Sequence, residues 1–448
     1  MRLLKYSLGL AGAMALAVPA AIESSGPAAA QAANEQFIPG TVYRTGPYAP
    51  NGIPFANGRA DYLTLLNNRD GGINGVKIAY EECDTGYATD RGVECYERLK
   101  GKGPTGAAWF SPLSTGITFA LTDKVPSDKV PLLTQAYGRS DSVDGSVFQW
   151  NFPLTGTYWD GADILIQHVA KLSGGFDKLK GKRIALVYHD SPYGKEPIPV
   201  LEAEAKKYGF TFDALPVSAT ALVEQKSIWL QIRQNRPDWV FLWGWGVMNS
   251  TAVKEAASVN YPREKMYGVW WSGAEPDVVP AGEGAKGYNS LALHAPGTSF
   301  KVHEDVFKFV YDKSQGMAKR EEVGEVLYNR GLIDAMLGTE AIRTAMARFG
   351  NKPMTGEQIR WGFENLKVTA DRLKQLGFEG LARPIAVSCS DHSGMHEARI
   401  QQWDGKKWSF TSEWIQADQK FLGPMIKESA AKYAKDKNIT PVDCGKTS

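Results

Sequence analysis

The 448-residue sequence has little cysteine and little excess charge. Its four cysteines are too few for the disulfide-dense scaffold of a small secreted domain. Lysine and arginine number 51 against 49 acidic residues, and both signs are dispersed along the chain. This balance argues against a nucleic-acid-binding protein, which normally carries a basic stripe. Apolar residues make up 43% and charged residues 22%, the composition of a globular protein rather than a disordered chain.

Apolar runs long enough to cross a membrane are also missing. The run Leu8–Val18 has eleven residues, whereas a spanning helix needs about 20. Arg2 and Lys5 precede this run and small residues follow it, which is the pattern of a secretory signal peptide over residues 1–32. Ala30-Gln31-Ala32 predicts cleavage just after residue 32, and the preceding alanines form a competing cleavage site.

Export of the mature chain would decide how the cysteines behave. No cysteine precedes Cys83, so we expect the exported protein to carry no lipid anchor. In an oxidising compartment an even set of cysteines pairs, and four cysteines allow three pairings. Sequence proximity favours Cys83 with Cys95, which leaves Cys389 with Cys444. A zinc site would need CxxC spacing or nearby histidines, and the sequence has neither around Cys83.

Strand-like apolar runs alternate with segments of helical period, as in parallel sheets joined by crossover helices. The pattern restarts at residue 183, which predicts an α/β fold of two Rossmann-like lobes with parallel-rich sheets, joined by hinge crossovers. We expect a first part of lobe 1 at 37–153 and a first part of lobe 2 at 154–288. Residues 289–384 would return to complete lobe 1, and 385–448 would complete lobe 2 and form a tail. The predicted strands are 37–43, 76–80, 107–110, 130–133, 147–152, 183–188, 212–217, 239–243, 265–270, 291–294, 385–388, 398–403 and 408–410. Residues 46–52 are predicted as a turn-rich loop, and the spacing of Leu63 and Leu66 predicts a helix over 59–67.

Known catalytic signatures are missing as well. The sequence contains no Gly-x-Ser-x-Gly elbow, Walker loop, HExxH or dinucleotide-binding glycine pattern. His189 ends a predicted strand, where function often lies, but no nucleophile of known spacing accompanies it. His392 and His396 are four residues apart with Gly394 between them, which favours a turn over a metal-binding helix face. We therefore expect no catalysis, no metal and no cofactor.

Polar and aromatic residues instead follow the predicted strands. Open α/β sheets bind ligands at the carboxyl ends of their strands. Ser114 and Thr115 follow one strand and open a helix, where hydroxyls and free amides suit a carboxylate, although capping alone would also explain them. Thr134–Gly138 follows the next strand and can offer main-chain donors. The second half carries aromatic residues at such ends, which suit the walls of a ligand cleft as well as core packing: Tyr193, Trp243, Trp245, Trp270 and Trp271.

A glycine-rich segment adds a family resemblance. Leu66-Asn67-Asn68-Arg69-Asp70-Gly71-Gly72-Ile73-Asn74-Gly75, followed by Val76–Tyr80 and Asp84, resembles the corresponding segment of type I periplasmic solute-binding proteins. The closest group is the branched-chain amino acid, or leucine-binding-protein-like, receptors of ABC importers. The likeness runs from about Phe37 to Trp408. It implies a periplasmic location, two lobes that close on a solute, a membrane permease as partner, a monomer and no catalysis.

The resemblance also implies site residues. Ser114, with Thr115 beside it, matches the hydroxyl that holds the ligand carboxylate, and the main chain of Ala136 and Gly138 matches the rest of that carboxylate site. Asn51 falls where some members place a tyrosine, and Tyr193 matches the aromatic residue of the second lobe.

The resemblance weakens in the second lobe. Amino acid receptors of this family carry an acidic residue for the ligand ammonium after the strand that here ends in Trp270-Trp271, and Glu275 stands slightly late for that role. The solute is thus an amino acid if Glu275 reaches the cleft. It is an aromatic carboxylate or an amide- or urea-like compound, packed against these tryptophans and Trp245, if Glu275 does not. A secreted hydrolase using His189 and a ligand-sensing module stay open as alternatives.

Overall fold

The computed structural model describes residues 34–445, so the predicted signal peptide lies outside the described residues. The chain forms the predicted mixed α/β fold, with two regions of parallel strands. We refer to the part built around the first region as lobe 1 and to the part built around the second as lobe 2.

Lobe 1 begins with β1 (Glu35–Val42) and β2 (Lys77–Asp84), which pair in parallel. β3 (Leu132–Leu133) and β4 (Asn151–Phe152) form a second short parallel pair. The predicted strand at 107–110 shortens to a single bridge between Phe110 and Leu132. The Ala108 amide still donates to the β1 carbonyl of Phe37 at 2.9 Å, so this segment joins β1 to β3.

Lobe 2 contains one eight-stranded sheet. Its strand order is β13-β12-β9-β8-β7-β5-β6, and β14 pairs with β12 beside that path. The strands β6, β5, β7, β8 and β9 run parallel, whereas β12, β13 and β14 pair in antiparallel fashion. Their bounds are β5 Arg183–His189, β6 Thr211–Val217, β7 Trp239–Trp243, β8 Met266–Gly268, β9 Asn289–Ala292, β12 Glu397–Trp403, β13 Trp408–Phe410 and β14 Ile415–Gln416; the short pair β10 Lys367–Val368 and β11 Ile385–Ala386 stands apart.

Twelve longer helices of the described residues cover these sheets. They are α1 Ala49–Leu65, α2 Thr89–Leu99, α3 Thr115–Thr122, α4 Tyr158–Ser173, α5 Ile198–Tyr208, α6 Lys226–Asn235, α7 Val247–Ser258, α8 Lys301–Phe309, α9 Val326–Phe349, α10 Gly356–Glu364, α11 Ala370–Leu376 and α12 Gln419–Asp436. Helix α4 starts with a complete capping box between Thr157 and Asp160 and ends at Gly174 in the left-handed conformation.

Helix α1 starts earlier than its sequence predicts. We expected a turn-rich loop over 46–52 and a helix only from Arg59, because glycine, asparagine and proline disfavour helix interiors. That expectation is wrong: the helix begins at Ala49, and Pro50 stands in its first turn, where proline costs no hydrogen bond. Gly52 packs against Tyr43 so closely that a Cβ would lie 2.2 Å from the Tyr43 ring. Tertiary packing therefore decides where this helix begins.

The crossing of α1 and α9 depends on two glycines. A Cβ on Gly58 would lie 2.0 Å from the Tyr328 carbonyl oxygen, and one on Gly331 would lie 2.1 Å from the Phe55 carbonyl oxygen. Each helix thus presents a glycine to the backbone of the other, and α9 joins α1 in lobe 1.

Residues after 288 do not all return to lobe 1. β9 pairs with β8 on one side and with β12 on the other, so it continues the lobe 2 sheet. The change of lobe that the sequence placed at residue 289 therefore comes after β9, because a strand with two hydrogen-bonded neighbours cannot leave its sheet.

Both predicted disulfides are confirmed. Cys83 pairs with Cys95, and Cys389 pairs with Cys444. The first bond links the end of β2 to α2, and the second ties residues beyond α12 to the loop before β12.

Candidate functional site

A narrow cavity lies between the two lobes, at the carboxyl ends of their strands. The lining residues from lobe 1 are Tyr43, Tyr87, Leu113, Ser114, Thr115 and Tyr137, and those from lobe 2 are Tyr158, Tyr193, Trp245 and Trp271. The cavity has about 270 Å³ of empty space, part of which is open to solvent. The two lobes are thus closed on each other, at the place where open α/β sheets bind ligands.

Ser114 and Thr115 stand at the start of α3. Ser114 is the N-cap, with extended backbone, and its Oγ accepts a long bond from the Ile117 amide at 3.4 Å. The Thr115 Oγ1 accepts from the Gly138 amide at 3.3 Å. Both residues line the cavity at the positive end of a helix dipole, which favours a negatively charged group.

Ala136 presents its carbonyl, and not its amide, to lobe 2. Its amide donates to the Leu154 carbonyl at 2.9 Å, while its carbonyl accepts from the indole Nε1 of Trp270 at 2.9 Å and of Trp271 at 3.1 Å. The Gly138 amide is bonded to Thr115. The family resemblance assigned these two amides to a ligand carboxylate, but both already donate to acceptors within the protein.

The second-lobe aromatic residues divide into lining and supporting side chains. Trp245 donates from Nε1 to the Tyr43 hydroxyl at 3.1 Å, and its ring stands 5.4 Å from that of Trp271 at an angle of 85°. Tyr193 donates its hydroxyl to the Gly244 carbonyl at 2.9 Å. Trp270 is fully buried behind the cavity, stacked on Tyr158.

Glu275 and Asn51 do not line the cavity. Glu275 opens a short helix, Glu275–Val278, and its Oε2 accepts from the Val326 amide at the start of α9 at 2.9 Å. Burial raises the pKa of Glu275 to about 8. The Asn51 side-chain amide donates to Asp277 Oδ1 at 2.9 Å. Both side chains therefore link the lobes beside the cavity.

Asp277 is a buried residue that sequence reasoning missed. Besides Asn51, it accepts from the Asn249 side-chain amide at 2.9 Å and from the Ala274 amide at 2.8 Å. Burial raises the pKa of Asp277 to about 6, although these donors oppose the shift. Its only signal in the sequence was its place shortly after the Trp270-Trp271 strand end.

Arg330 of α9 also lies close to the site, and the sequence did not predict it. Its guanidinium lies 4.6 Å from the centre of the Trp271 ring and donates from Nη1 to the Trp270 carbonyl at 2.5 Å. Burial lowers the pKa of Arg330 to about 9, which leaves it protonated at neutral pH. Arg330 follows no strand, so the rule that located the other candidates could not find it.

The tyrosines were missed for a different reason. Tyr43 follows β1 directly, and Tyr87 and Tyr137 lie three and four residues beyond β2 and β3. The strand-end rule selects these positions, but it does not tell a lining ring from a core ring. Burial raises the pKa of Tyr87 and of Tyr137 above the usual range, so both keep neutral hydroxyls.

The histidines considered for catalysis make structural contacts. His189 bridges the lobes, with Nε2 2.8 Å from the Tyr48 hydroxyl and Nδ1 2.8 Å from Ser191 Oγ. His392 is buried against Phe152, and His396 lies between two aspartates. Between residues 34 and 445, no cluster of three or more histidine, cysteine or acidic side chains is placed to hold a metal ion.

A wider concave surface lies away from the cleft. It is formed near Asp391, His396, Lys427 and the tail around Val442. The narrow cavity is the better candidate, because residues from the strand ends of both lobes line it.

Comparisons with known proteins agree with this fold. The family model described as periplasmic binding protein matches residues 35–407. No curated protein matches the chain. In the described part of the chain, no helix combines the length and the apolar character needed to cross a membrane.

Solved structures show the same fold. One, described as an ABC transporter permease from the Pseudomonas fluorescens group, is 43% identical with a TM-score of 0.84 and covers 92% of this chain and 99% of its own. A branched-chain amino acid ABC transporter from Thermus thermophilus with bound valine is 20% identical, with a TM-score of 0.71 and coverage of 86% and 99%. A solute-binding protein from R. palustris in complex with benzoate is 14% identical, with a TM-score of 0.65 and coverage of 86% and 98%. Since the family match spans most of the sequence, this chain belongs to the periplasmic binding protein family.

Proposed function

We propose that this chain, a substrate-binding component of the ABC transporter family, captures a small solute in the cleft between its lobes and delivers it to a membrane permease in the periplasm. The observation that carries the proposal is the cavity itself, which needs strand ends of both lobes to exist. Hydrogen bonds that cross the cleft, from Trp245 to Tyr43 and from Trp271 to Ala136, support a closed state that depends on both lobes.

One end of the proposed solute is a carboxylate. The hydroxyls of Ser114 and Thr115 and the start of α3 offer donors and a positive dipole end at one side of the cavity. A buried carboxylate needs such partners, because leaving it unpaired is costly.

The other end of the solute carries no primary ammonium. Among the described residues that line the cavity, none is acidic, and Glu275 is occupied by the start of α9. Of the two solute classes left open by the sequence, this lining favours the carboxylate without an amino acid's ammonium over a branched-chain amino acid. The bound valine and benzoate of two distant relatives show only that the fold accepts both.

Closure is the proposed mechanism. The solute docks on lobe 1 at Ser114 and Thr115, and lobe 2 then brings Tyr193 and Trp271 against it. The solute shifts an existing equilibrium by binding the closed state more tightly than the open state. The permease recognises the closed monomer, and no chemistry takes place on the solute.

The test is a thermal-shift screen of carboxylates, amides and amino acids on the chain from residue 33, followed by calorimetry. A specific solute raises the melting temperature in a concentration-dependent way. Ser114→Ala weakens its binding by about 1–3 kcal/mol, the cost of leaving a charged partner short of a hydrogen bond. Ser127→Ala, at an exposed serine of the same lobe, is the matched control.

An unchanged dissociation constant in Ser114→Ala contradicts the proposed site. The hydrolase alternative is tested in the same samples, because NMR of the recovered solute reports any conversion. Turnover that His189→Ala abolishes would replace the transport function with an enzymatic one.

A further inference from the structure

Four aromatic contacts around the cavity are close to perpendicular. The ring of Tyr43 meets that of Tyr87 at 5.1 Å and 79°, and that of Trp245 at 6.2 Å and 79°. Trp245 meets Trp271 at 85°, and Trp271 meets Tyr137 at 5.9 Å and 75°. We call these five side chains the aromatic box.

Perpendicular rings suit a compact group better than a flat one. A flat aromatic solute gains most when it stacks parallel to a wall on each face, whereas rings set at right angles surround a rounded group from several sides. The faces of aromatic rings are electron-rich and attract cations, and this attraction strengthens where water is excluded. The aromatic box is therefore built for a compact, weakly hydrated cation.

The carbonyls beside the box do not favour a cation that bears N–H groups. The Gly244 carbonyl accepts from the hydroxyls of Tyr193 and Ser272, and the Ala136 carbonyl accepts from two indoles. A primary ammonium has three donors that need acceptors. A quaternary ammonium has no such donors, so it leaves no hydrogen bond unmade in these surroundings.

The charges behind the box balance one another. Arg330 covers one face of Trp271 from outside the cavity, and its positive charge opposes any cation in the box. Asp277 is buried in the same region and interacts with Arg330 electrostatically, which offsets that opposition. A solute that carries one positive and one negative charge adds no net charge to this cleft.

We propose that the solute is a small betaine, with its carboxylate on Ser114 and Thr115 and its quaternary ammonium in the aromatic box. This inference rests on the proposed function and adds to it the chemical class of the solute. The small empty volume limits the solute to a few carbons between the two charges.

The test compares glycine betaine with 3,3-dimethylbutanoate by calorimetry on the mature chain. The two compounds have nearly the same shape and the same carboxylate, but only glycine betaine carries a positive charge. We expect glycine betaine to bind at least tenfold more tightly, the scale of a desolvated cation–π contact. Longer betaines, such as carnitine, are measured in parallel to define the chain length.

Variants locate the binding in the aromatic box. Trp245→Leu and Trp271→Leu each weaken glycine betaine at least tenfold, whereas Trp271→Tyr, which retains a ring, recovers most of the affinity. Trp414→Leu, at a tryptophan that lines a different surface groove, leaves the affinity unchanged. Melting curves of each variant without solute exclude unfolding as the cause of a loss.

Three results overturn the inference: equal affinity for the two isosteres, no binding of any betaine at about 10 mM, or full affinity in Trp271→Leu. The proposed function fails separately. If valine or benzoate binds in place of the betaines and Ser114→Ala weakens it, the cleft function stands and only the solute class is wrong. If Ser114→Ala leaves the affinity for the bound probe unchanged, whichever probe it is, the cleft itself is not the site.

Discussion

At the scale of single residues, the buried charges are the most sensitive points of the molecule. Arg59 of α1 and Asp334 of α9 form an ion pair at 2.8 Å with neither side chain exposed, and Arg59 also donates to Ser111 Oγ at 2.7 Å. Asp334→Ala leaves the guanidinium buried and unpaired, which costs about 3–5 kcal/mol of unfolding free energy. Urea denaturation measures the loss.

The matched control for this ion pair is the double variant Arg59→Met/Asp334→Leu. Replacing both charges with apolar side chains of similar volume removes the unpaired charge. We expect the double variant to be more stable than Asp334→Ala alone. A double variant that is less stable than the single one would show that the pair itself, and not an orphaned charge, holds the helices together.

His396 makes stability depend on pH. Burial opposes its charged form, but Asp160 and Asp391, each within 3.2 Å, outweigh burial and raise the pKa of His396 to about 10. The folded-state pKa lies above the unfolded value of about 6.5. The charged His396 therefore contributes its full stabilisation of the folded state below pH 6.5, and this stabilisation is lost as the pH rises through 10.

The corresponding prediction compares His396→Gln with the unmodified chain at pH 6 and pH 9.5. The variant lowers the melting temperature more at pH 6. His168→Gln is the control, because burial lowers the pKa of His168 to about 4, so its neutral form is the one that folding favours. If His396→Gln lowers the melting temperature equally at both pH values, the histidine is not charged in the folded state.

Residue identity allowed some of the residues that line the candidate site to be predicted. The position of Ser114 follows from a hydroxyl residue between a strand and a helix, a local pattern. The orientation of Glu275 does not, because the direction of its side chain depends on where α9 begins in space. The sequence also does not distinguish the two neighbouring tryptophans, because their roles depend on the fold: Trp271 lines the cavity, and Trp270 packs behind it.

At the scale of elements, the crossing of α1 and α9 is set by glycine. Gly331→Ala places a methyl group against the Phe55 backbone and forces the helices apart, at a cost of about 1–3 kcal/mol. Gly423→Ala in α12 is the matched control, since nothing lies within 4 Å of its Cβ position. That substitution stabilises by up to about 1 kcal/mol through helix propensity alone. Equal effects of the two would disprove the crossing.

The two disulfides differ in the length of chain that they close. Cys83 and Cys95 are 12 residues apart, and Cys389 and Cys444 are 55 apart. If loop-closure entropy of the unfolded chain dominates, replacing the first pair by serine costs about 2.8 kcal/mol and replacing the second about 4.2 kcal/mol. Denaturation of the two double variants measures the difference. A larger loss for the shorter loop would point to native-state contacts.

Elements with a clear period were predictable, and those decided by tertiary contacts were not. β7 occupies the predicted residues 239–243 because a buried parallel strand is apolar throughout. The start of α1 was placed too late because its glycine and proline residues serve packing against Tyr43 and α9, which lie elsewhere in the fold.

At the scale of the whole molecule, closure is a property of paired surfaces. Asn51 meets Asp277, His189 meets Tyr48, and Ala136 meets two indoles, each across the cleft. Each residue alone looks like an ordinary polar or core position, so a single sequence gives little sign of the pairing. The alternation of strands and helices and the glycine-rich segment, by contrast, were enough for the fold class.

The central claim is that one solute binds between the lobes at the start of α3. A crystal structure with a tightly bound solute tests it most directly. We predict the carboxylate within hydrogen-bond distance of Ser114 Oγ, the rest of the molecule against Trp245 and Trp271, and a solute that is chemically unchanged. A solute bound at the wider concave surface beside His396, or recovered in chemically altered form, would contradict the account.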